Sequence, residues 1–370
     1  MYAPIYIAFL QFEMESGGSQ SGFEEVEFYP FNRFMENISE QMQYKFKKMK
    51  DALIGAQKIC IISHRGPDGD AVGANLAMRM GLEALGKEVV SACVDPVPAD
   101  SQFMKGADRF VTDFNYEDFD VIAAVDCGHE KLMVYHETKP ELMSGDKPLI
   151  NIDHHGSNSE FGTINVVDPN SCATCMILYK FFGFCGWRIT IDIANCLLAG
   201  IYFDTGGMMH SNTTAEVFRV AGELIKMGAN VGRISKELFH TTPVNKLRLW
   251  GRILERAYVN EEGVTVSAVG MNDYESTGAG PKDTGGAIDY LNAVPGSKYC
   301  VLLSEDEGGK VKGSLRTQRE DVNLSEVAGK WGGGGHAKAS GFGVAGTLKP
   351  VMSWRVVRGN GDAHGEDVKF

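Results

Sequence analysis

The sequence predicts an α/β protein with a parallel-sheet N-terminal domain and a smaller α/β C-terminal domain. Short apolar runs of strand length alternate with segments of helical period over the first two thirds of the chain, as βαβ units require. Several of these runs end directly in Asp or His, as strands do where a sheet edge carries chemistry. The 370 residues suit two domains better than one.

Residues 1–29 have no clear period and are expected to form a poorly ordered extension. Phe31, Phe34, Ile38, Met42, Phe46, Met49 and Leu53 then recur at three- and four-residue steps, which predicts an amphipathic helix. Lys58–Ser63 (KICIIS) reads as a buried strand. The loop His64-Arg65-Gly66-Pro67-Asp68-Gly69-Asp70 follows it, and then a helix with Ala71, Ala74, Met78, Leu82 and Leu85 on one face and Gly86 at its stop. Lys87–Val94, Val121–Val125 and Leu149–Ile152 are the next strands. Helices are expected over Ala173–Phe182, Asp192–Phe203, Thr214–Met227 and Val244–Tyr258.

A second region opens near Gly263, with strands at Val264–Val269, Lys298–Leu303 and Lys310–Leu315 and helices at Ala287–Val294 and Leu324–Trp331. The expected division is a larger first domain over 30–230, a helical linker over 231–262, a smaller second domain over 263–346 and a tail from 347.

Hydrophobic residues make up 44% of the chain and charged residues 23%, enough for large cores. A net charge of −12 argues against a broad basic surface for long duplex DNA, but not against a short anionic substrate held through metal ions. Eight scattered cysteines form no regular framework, so a reduced, cytoplasmic protein is expected. Cys172 and Cys175 have CxxC spacing but no second pair, and read as core residues. The apolar start, Met1–Leu10, has no basic leader and is too short to span a bilayer, so no membrane association is expected.

The chemistry gathers at His64, Asp68, Asp70, Asp126, Asp153, His154, His155 and Asp204. His64, Asp126 and Asp153 follow predicted strands, whose C-terminal ends share one rim of a parallel sheet. Each residue has an ordinary reading when taken alone. Asp70 would cap its helix, Asp204 would sit in a turn, and His64 would be a surface histidine. Together they suit two Mn²⁺ ions, with Mg²⁺ also compatible with so many carboxylates. Such a pair clamps a phosphate and brings a shared water's pKa down to about 7, making hydroxide the nucleophile. In the second region, Ser314 and Arg316 stand near a strand end. Gly332, Gly333, Gly334 and Gly335 lead to His336, leaving backbone N–H groups open to a phosphate or sugar.

These motifs resemble the DHH phosphoesterase family, in the branch that carries the DHH-associated C-terminal domain. His64-x-x-Pro67-Asp68-Gly69-Asp70-Ala71, Val125-Asp126, Asp153-His154-His155, Asp204-Thr205-Gly206 and Gly332–His336 stand in the family's order, over about residues 50–345. The resemblance implies a two-manganese phosphoesterase with its active site between two domains. Its most similar branch is that of the stand-alone enzymes that degrade very short oligoribonucleotides.

By carry-over, His64, Asp68 and Asp126 would hold one metal, and Asp70, Asp126, His154 and Asp204 the other. His155 would face the scissile phosphate with Asp153 behind it. Ser314, Arg316 and the Gly332–His336 loop would hold the substrate. The expected partners are therefore short RNA oligonucleotides or small adenine nucleotides, and a homodimer is left open. After Asp204-Thr205-Gly206-Gly207 the chain departs from the pattern. Met208-Met209-His210 stands where many relatives have an aromatic and often a basic residue, and Thr317 stands where a second serine is common.

Several rival readings stay open. Cyclic di-AMP or 3′-phosphoadenosine 5′-phosphate could be the main substrate, or the protein could be a nucleotide-binding module without catalysis. A manganese pyrophosphatase is disfavoured by the glycine–histidine motif, and an exonuclease for long single strands by size and acidic charge.

Overall fold

The computed structural model describes residues 38–239 and 241–350. The extension over 1–29, the start of the first predicted helix with Phe31 and Phe34, and the tail beyond 350 lie outside the described residues. The elements run α1 (Glu40–Gly55), β1 (Lys58–Ser63), α2 (Gly69–Glu83), β2 (Glu88–Ala92), β3 (Phe110–Val111), β4 (Val121–Val125), β5 (Leu149–Asp153) and β6 (Ile164–Val167). Then come α3 (Thr174–Cys185), α4 (Ile191–Asp204), α5 (Ala215–Lys226) and α6 (Val231–Phe239). They are followed by α7 (Val244–Glu255), β7 (Tyr258–Val259), β8 (Thr265–Val269), α8 (Met271–Thr277), α9 (Ala287–Asn292), β9 (Cys300–Glu305), β10 (Lys310–Arg316), α10 (Leu324–Gly329), β11 (Gly334–Gly335) and β12 (Ala339–Ala345).

The first six strands form one sheet in the order β3-β2-β1-β4-β5-β6, every pair parallel. Parallel strands are buried on both faces, which is why β1 and β4 read as unbroken apolar runs. Ile59 and Ile61 face a core shared with Phe46, Met49 and Leu53 of α1, the apolar side of α2, and α3–α6. Cys60 and Ile62 face the other way, onto Tyr116, Phe119, Met133, Tyr135 and Leu142 from short turns between β3 and β5. The eight cysteines are free. Cys175 lies in the core, its thiol near the carbonyls of Asp70 and Cys196.

The last six strands form a mixed sheet in the order β11-β12-β10-β9-β8-β7. The expected helix over Val244–Tyr258 stops at Glu255, because Tyr258 and Val259 pair antiparallel with Val266 and Thr265 as an edge strand. The strand expected from Lys298 begins at Cys300, since the Lys298 N–H is taken by the Gly263 carbonyl at 2.8 Å. Leu249 and Ile253 of α7 pack into this second core, whereas Ile234 and Leu238 of α6 pack into the first. Among the described residues, no helix is long and apolar enough to cross a membrane.

Helices α2 and α4 approach closely because glycines face the contact. A Cβ on Gly73 would lie 2.5 Å from the Cys196 carbonyl oxygen, and one on Gly200 would lie 2.4 Å from an Asp70 carboxylate oxygen. This contact holds the start of α2, and with it Asp70, against the middle of α4.

Gly→Ala inside a helix ordinarily gains about 1 kcal/mol. At Gly73 the clash is with backbone, and overpacking of this kind costs about 1–3 kcal/mol. Gly73→Ala is therefore expected to lower the urea midpoint. Gly222→Ala in α5 meets nothing within 4 Å and is expected to raise it. A stabilised Gly73→Ala would show that the helices can part without cost.

Candidate metal centre

In this strand order β1 and β4 are neighbours although β2 and β3 intervene in sequence. Chain connections leave in opposite directions on either side of that pair, so a crevice opens beyond their C-terminal ends. Ser63 pairs with Val125, and Val125 with Ile152, so His64, Asp126 and Asp153 emerge side by side. The Asp126 backbone has φ +59°, a left-handed conformation that Asp tolerates better than most residues. Its N–H still donates to the Ile152 carbonyl at 2.8 Å, while the turned backbone sends the side chain over the sheet edge.

Asp126 is the hub of the cluster and is 2% exposed. Its Oδ2 lies 3.6 Å from His64 Nε2. Its Oδ1 lies 3.7 Å from both His154 Nε2 and His155 Nδ1. His154 Nε2 also reaches Asp204 Oδ2 at 3.0 Å, and its Nδ1 faces the Ser171 carbonyl at 3.3 Å. His155 Nδ1 is 2.7 Å from Asp153 Oδ1. The Asn158 amide donates to Asp153 Oδ2 at 2.6 Å, and also to Asn151 Oδ1 and the Cys127 carbonyl.

The two aspartates of the first loop divide their work differently from the sequence expectation. Asp68 caps α2, its Oδ1 accepting the N–H groups of Asp70 and Ala71 at 3.0 Å. Asp70 caps a different helix. Its Oδ2 accepts the Thr174 N–H at 2.6 Å and its Oδ1 the Cys175 N–H at 3.0 Å, at the start of α3, where Ala173 offers no side-chain cap. A carboxylate at a helix N-terminus is favoured by the exposed N–H groups and the dipole. Asp204 closes α4, where the dipole disfavours an anion, and its pairing with His154 offsets this.

The cluster thus collects four carboxylates, Asp68, Asp70, Asp126 and Asp204, around His64, His154 and His155. Burial, followed by the charges of Asp126 and Asp204, pushes Asp68 up to about 6. The same causes hold Asp70 well above its ordinary range. Burial alone would raise Asp126, but its pairing with His64 and the charges of the three imidazoles hold it below the usual carboxylate range. Burial would lower His64, yet its pairing with the Asp126 carboxylate and the charge of Asp68 lift it to about 10. His154 and His155 are raised in the same way against burial, by Asp204 and Asp153 first. Buried negative charge here draws in whatever positive charge is at hand.

The donor set fits divalent cations. Donor atoms of His64, Asp68 and Asp126, of Asp126, His154 and His155, and of Asp70, His154 and Asp204 each lie within 4.8 Å of one another. Carboxylate oxygen with imidazole nitrogen is a donor set suited to Mn²⁺ and to the other divalent ions that accept both.

From the second sheet, His336 reaches this cluster. Its ring stacks on His155 with centroids 5.0 Å apart and lies 5.8 Å from that of His154. Burial and the two histidines lower its pKa to about 4, so it faces them uncharged. Ser314 and Arg316 lie half-buried on β10, the guanidinium donating to the Leu315 carbonyl at 2.9 Å. The four glycines do not form one bare loop. A Cβ on Gly333 would lie 2.1 Å from the Gly341 carbonyl, and one on Gly335 would lie 2.7 Å from that of Ala339. These two are glycine so that β11 can lie against β12, whereas Gly334 has open space. After Asp204, His210 packs over Gly206 with its Nδ1 3.3 Å from the Asp204 carbonyl, and Met209 is 84% exposed.

Sequence reading missed Thr174, Ser171 and Asn158, which hold the charged groups in place. Thr174 Oγ1 donates to Asp126 Oδ1 at 2.9 Å. The signal was present in part, since Thr174 stands in the first turn of a predicted helix, but its partner lies 48 positions away.

Comparison with known proteins gives two family matches, the DHH family N-terminal domain over residues 58–201 and the DHHA1 domain over 261–350. A Thermus thermophilus protein named bifunctional oligoribonuclease and PAP phosphatase NrnA is 34% identical over 286 residues, covering 76% of this chain and 83% of that protein. A Bacillus subtilis protein of the same name is 27% identical, covering 77% and 89%. The cyclic-di-AMP phosphodiesterase GdpP of Geobacillus thermodenitrificans is 24% identical, covering 78% of this chain and 45% of that one. The fold matches the crystal structure of an exopolyphosphatase-related protein from Bacteroides fragilis with a TM-score of 0.74, 24% identity and coverage of 84% and 92%.

With a chelator present, the folded protein binds extra protons at Asp68, between its ordinary 3.8 and about 6, and at His64, between 6.5 and about 10. Stability is therefore expected to fall as pH rises through both windows. Thermal melting in chelator should give a lower midpoint at about pH 8.5 than at about pH 5.5, and divalent cation should restore much of the loss at the higher pH. A midpoint that rises with pH in chelator would refute this charge balance.

Proposed function

This chain is a phosphoesterase of the DHH family, and on that footing we propose that it hydrolyses very short oligoribonucleotides to nucleoside 5′-monophosphates with two Mn²⁺ ions. The observation that carries the metal pair is Asp126, whose two oxygens face different imidazoles and which belongs to two of the three donor groups. His64, Asp68 and Asp126 would hold one ion, and Asp70, Asp126, His154 and Asp204 the other. Bound there, the cations would offset the phosphate charge and lower the pKa of a water they share. The 263–346 region is read as the substrate-holding domain, and the eight free cysteines suit a cytoplasmic setting.

The remaining steps belong to the chain's own side chains. Asp153 engages His155 through Nδ1, which leaves Nε2 for the substrate. With a pKa raised by that carboxylate, Nε2 carries a proton it can give to the leaving 3′-oxygen as the P–O3′ bond breaks and the water oxygen bonds to phosphorus. Uncharged His336 stacks on His155, walling the reacting centre from water while adding no charge beside the imidazolium. Arg316 offers a planar guanidinium for a phosphate or base, and the open face at Gly334 admits substrate backbone. The acidic chain favours a short substrate over a long duplex. A second reading follows from the relatives' printed names, which pair oligoribonuclease with PAP phosphatase. 3′-Phosphoadenosine 5′-phosphate is thus the next substrate to consider, and cyclic di-AMP the third.

The test is product analysis with purified protein and Mn²⁺ on linear di- to pentaribonucleotides, 3′-phosphoadenosine 5′-phosphate and cyclic di-AMP. Mononucleotides are expected fastest from the shortest RNAs. Faster turnover of either adenine compound would overturn the substrate assignment, and no turnover of any would favour a binding module. Asp126→Asn is expected to lower turnover by more than about 100-fold, beyond what loss of a residue supporting the ligands costs. Its far-ultraviolet circular dichroism should not change, because Asn also tolerates the left-handed backbone. Near-normal turnover by this variant at saturating Mn²⁺ would rule out the bridging role.

A further inference from the structure

We infer that Thr174 is a positioning residue that sets the plane of the Asp126 carboxylate, so that each of its oxygens is presented to a different metal. The inference rests on the two-metal reading above.

The carboxylate torsion of Asp is broad and nearly two-fold, so nothing intrinsic to Asp126 fixes which way its oxygens point. A bridging role needs that plane held. On the Oδ2 side His64 stands 3.6 Å away. On the Oδ1 side His154 and His155 are both 3.7 Å away, too far for a firm hydrogen bond. The Thr174 hydroxyl, 2.9 Å from Oδ1, makes the closest contact to either oxygen. Thr174 is fully buried, so the bond is dry. A charged acceptor makes it stronger than a bond between neutral groups.

Thr174 is itself rigidly placed. It is the first residue of α3, and its backbone N–H donates to Asp70 Oδ2 at 2.6 Å. Its β-branched side chain has few rotamers. One residue thus fastens two carboxylates, Asp70 through the backbone and Asp126 through the hydroxyl. These two acids belong to different donor groups, so Thr174 also fixes the spacing between them. The hydroxyl keeps a lone pair free but sends its proton to Oδ1, leaving the other lone pair of that oxygen for a cation.

The two bonds can be separated by mutation. Thr174→Val keeps shape, burial and the N–H to Asp70 but deletes the hydroxyl. Thr174→Ser keeps the hydroxyl and loses only a methyl. Calorimetric titration with Mn²⁺ alone, with no substrate, reads the site without activity. Wild type should bind two ions, Thr174→Val should bind at least one of them about 10- to 100-fold more weakly, and Thr174→Ser should stay within about three-fold of wild type. Melting in chelator identifies misfolding, and Thr174→Ala supplies a second hydroxyl deletion should the valine variant not fold. Wild-type affinity in the valine and alanine variants overturns the inference while leaving the two-metal reading intact. Equal weakening in the serine variant also overturns it, since packing would then be the cause. A wild type that binds fewer than two ions removes the reading underneath, and the inference with it.

Discussion

The structure is organised around a concentration of buried negative charge at one edge of a parallel sheet. Four carboxylates within hydrogen-bonding neighbourhood of three imidazoles would be costly in an apolar interior without matching partners. Much of the nearby fold supplies those partners. The start of α3 gives two N–H groups and a hydroxyl, Ser171 gives a carbonyl to His154, and Asn158 holds the oxygen of Asp153 that His155 does not use. The glycine contact between α2 and α4 exists so that Asp70 can come near enough to take part.

The second sheet adds chemistry of another kind. Where the first body gathers charge, the second offers bare backbone at Gly334, a guanidinium at Arg316 and an uncharged imidazole at His336. His336 is poised by exclusion. Beside two raised histidines it stays neutral, so it can lie flat against His155 without like-charge repulsion. On the proposed reading, groups that would hold a substrate are thereby separated from groups that would hold cations.

Much of this was legible in the sequence because the relevant signals are local. KICIIS and VIAAV are unbroken apolar runs that end against His64 and Asp126, so strand, strand end and candidate ligand can be read together. The eight charged candidates all meet at the site. What was not legible depends on distant partners or weak patterns. Asp70 reads as the cap of its own helix, and only the docking of α3 shows that it caps another. Asn158 and Ser171 look like any loop polar residue. β12 carries ASGFGVA, in which glycine hides the strand signal. Its Phe342 ring lies over Gly313 of the neighbouring β10, the position where a Cβ would clash. β3 is two residues long and leaves no period to detect.

The cap that Asp70 places on α3 has a consequence for how the chain folds. Its two hydrogen bonds join residues 104 and 105 positions apart, and Thr174 spans 48 positions to Asp126. Contacts of such long sequence separation carry a loop-closure cost that packing elsewhere offsets. The site therefore needs segments more than a hundred residues apart, and it cannot exist in a half-made chain. As the polypeptide emerges from the ribosome, Asp70 and Asp126 are synthesised well before Thr174 and Cys175, whose N–H and hydroxyl groups bind them. A nascent chain that lacks α3 carries the acids but not the three bonds from its first turn that arrange Asp70 and Asp126.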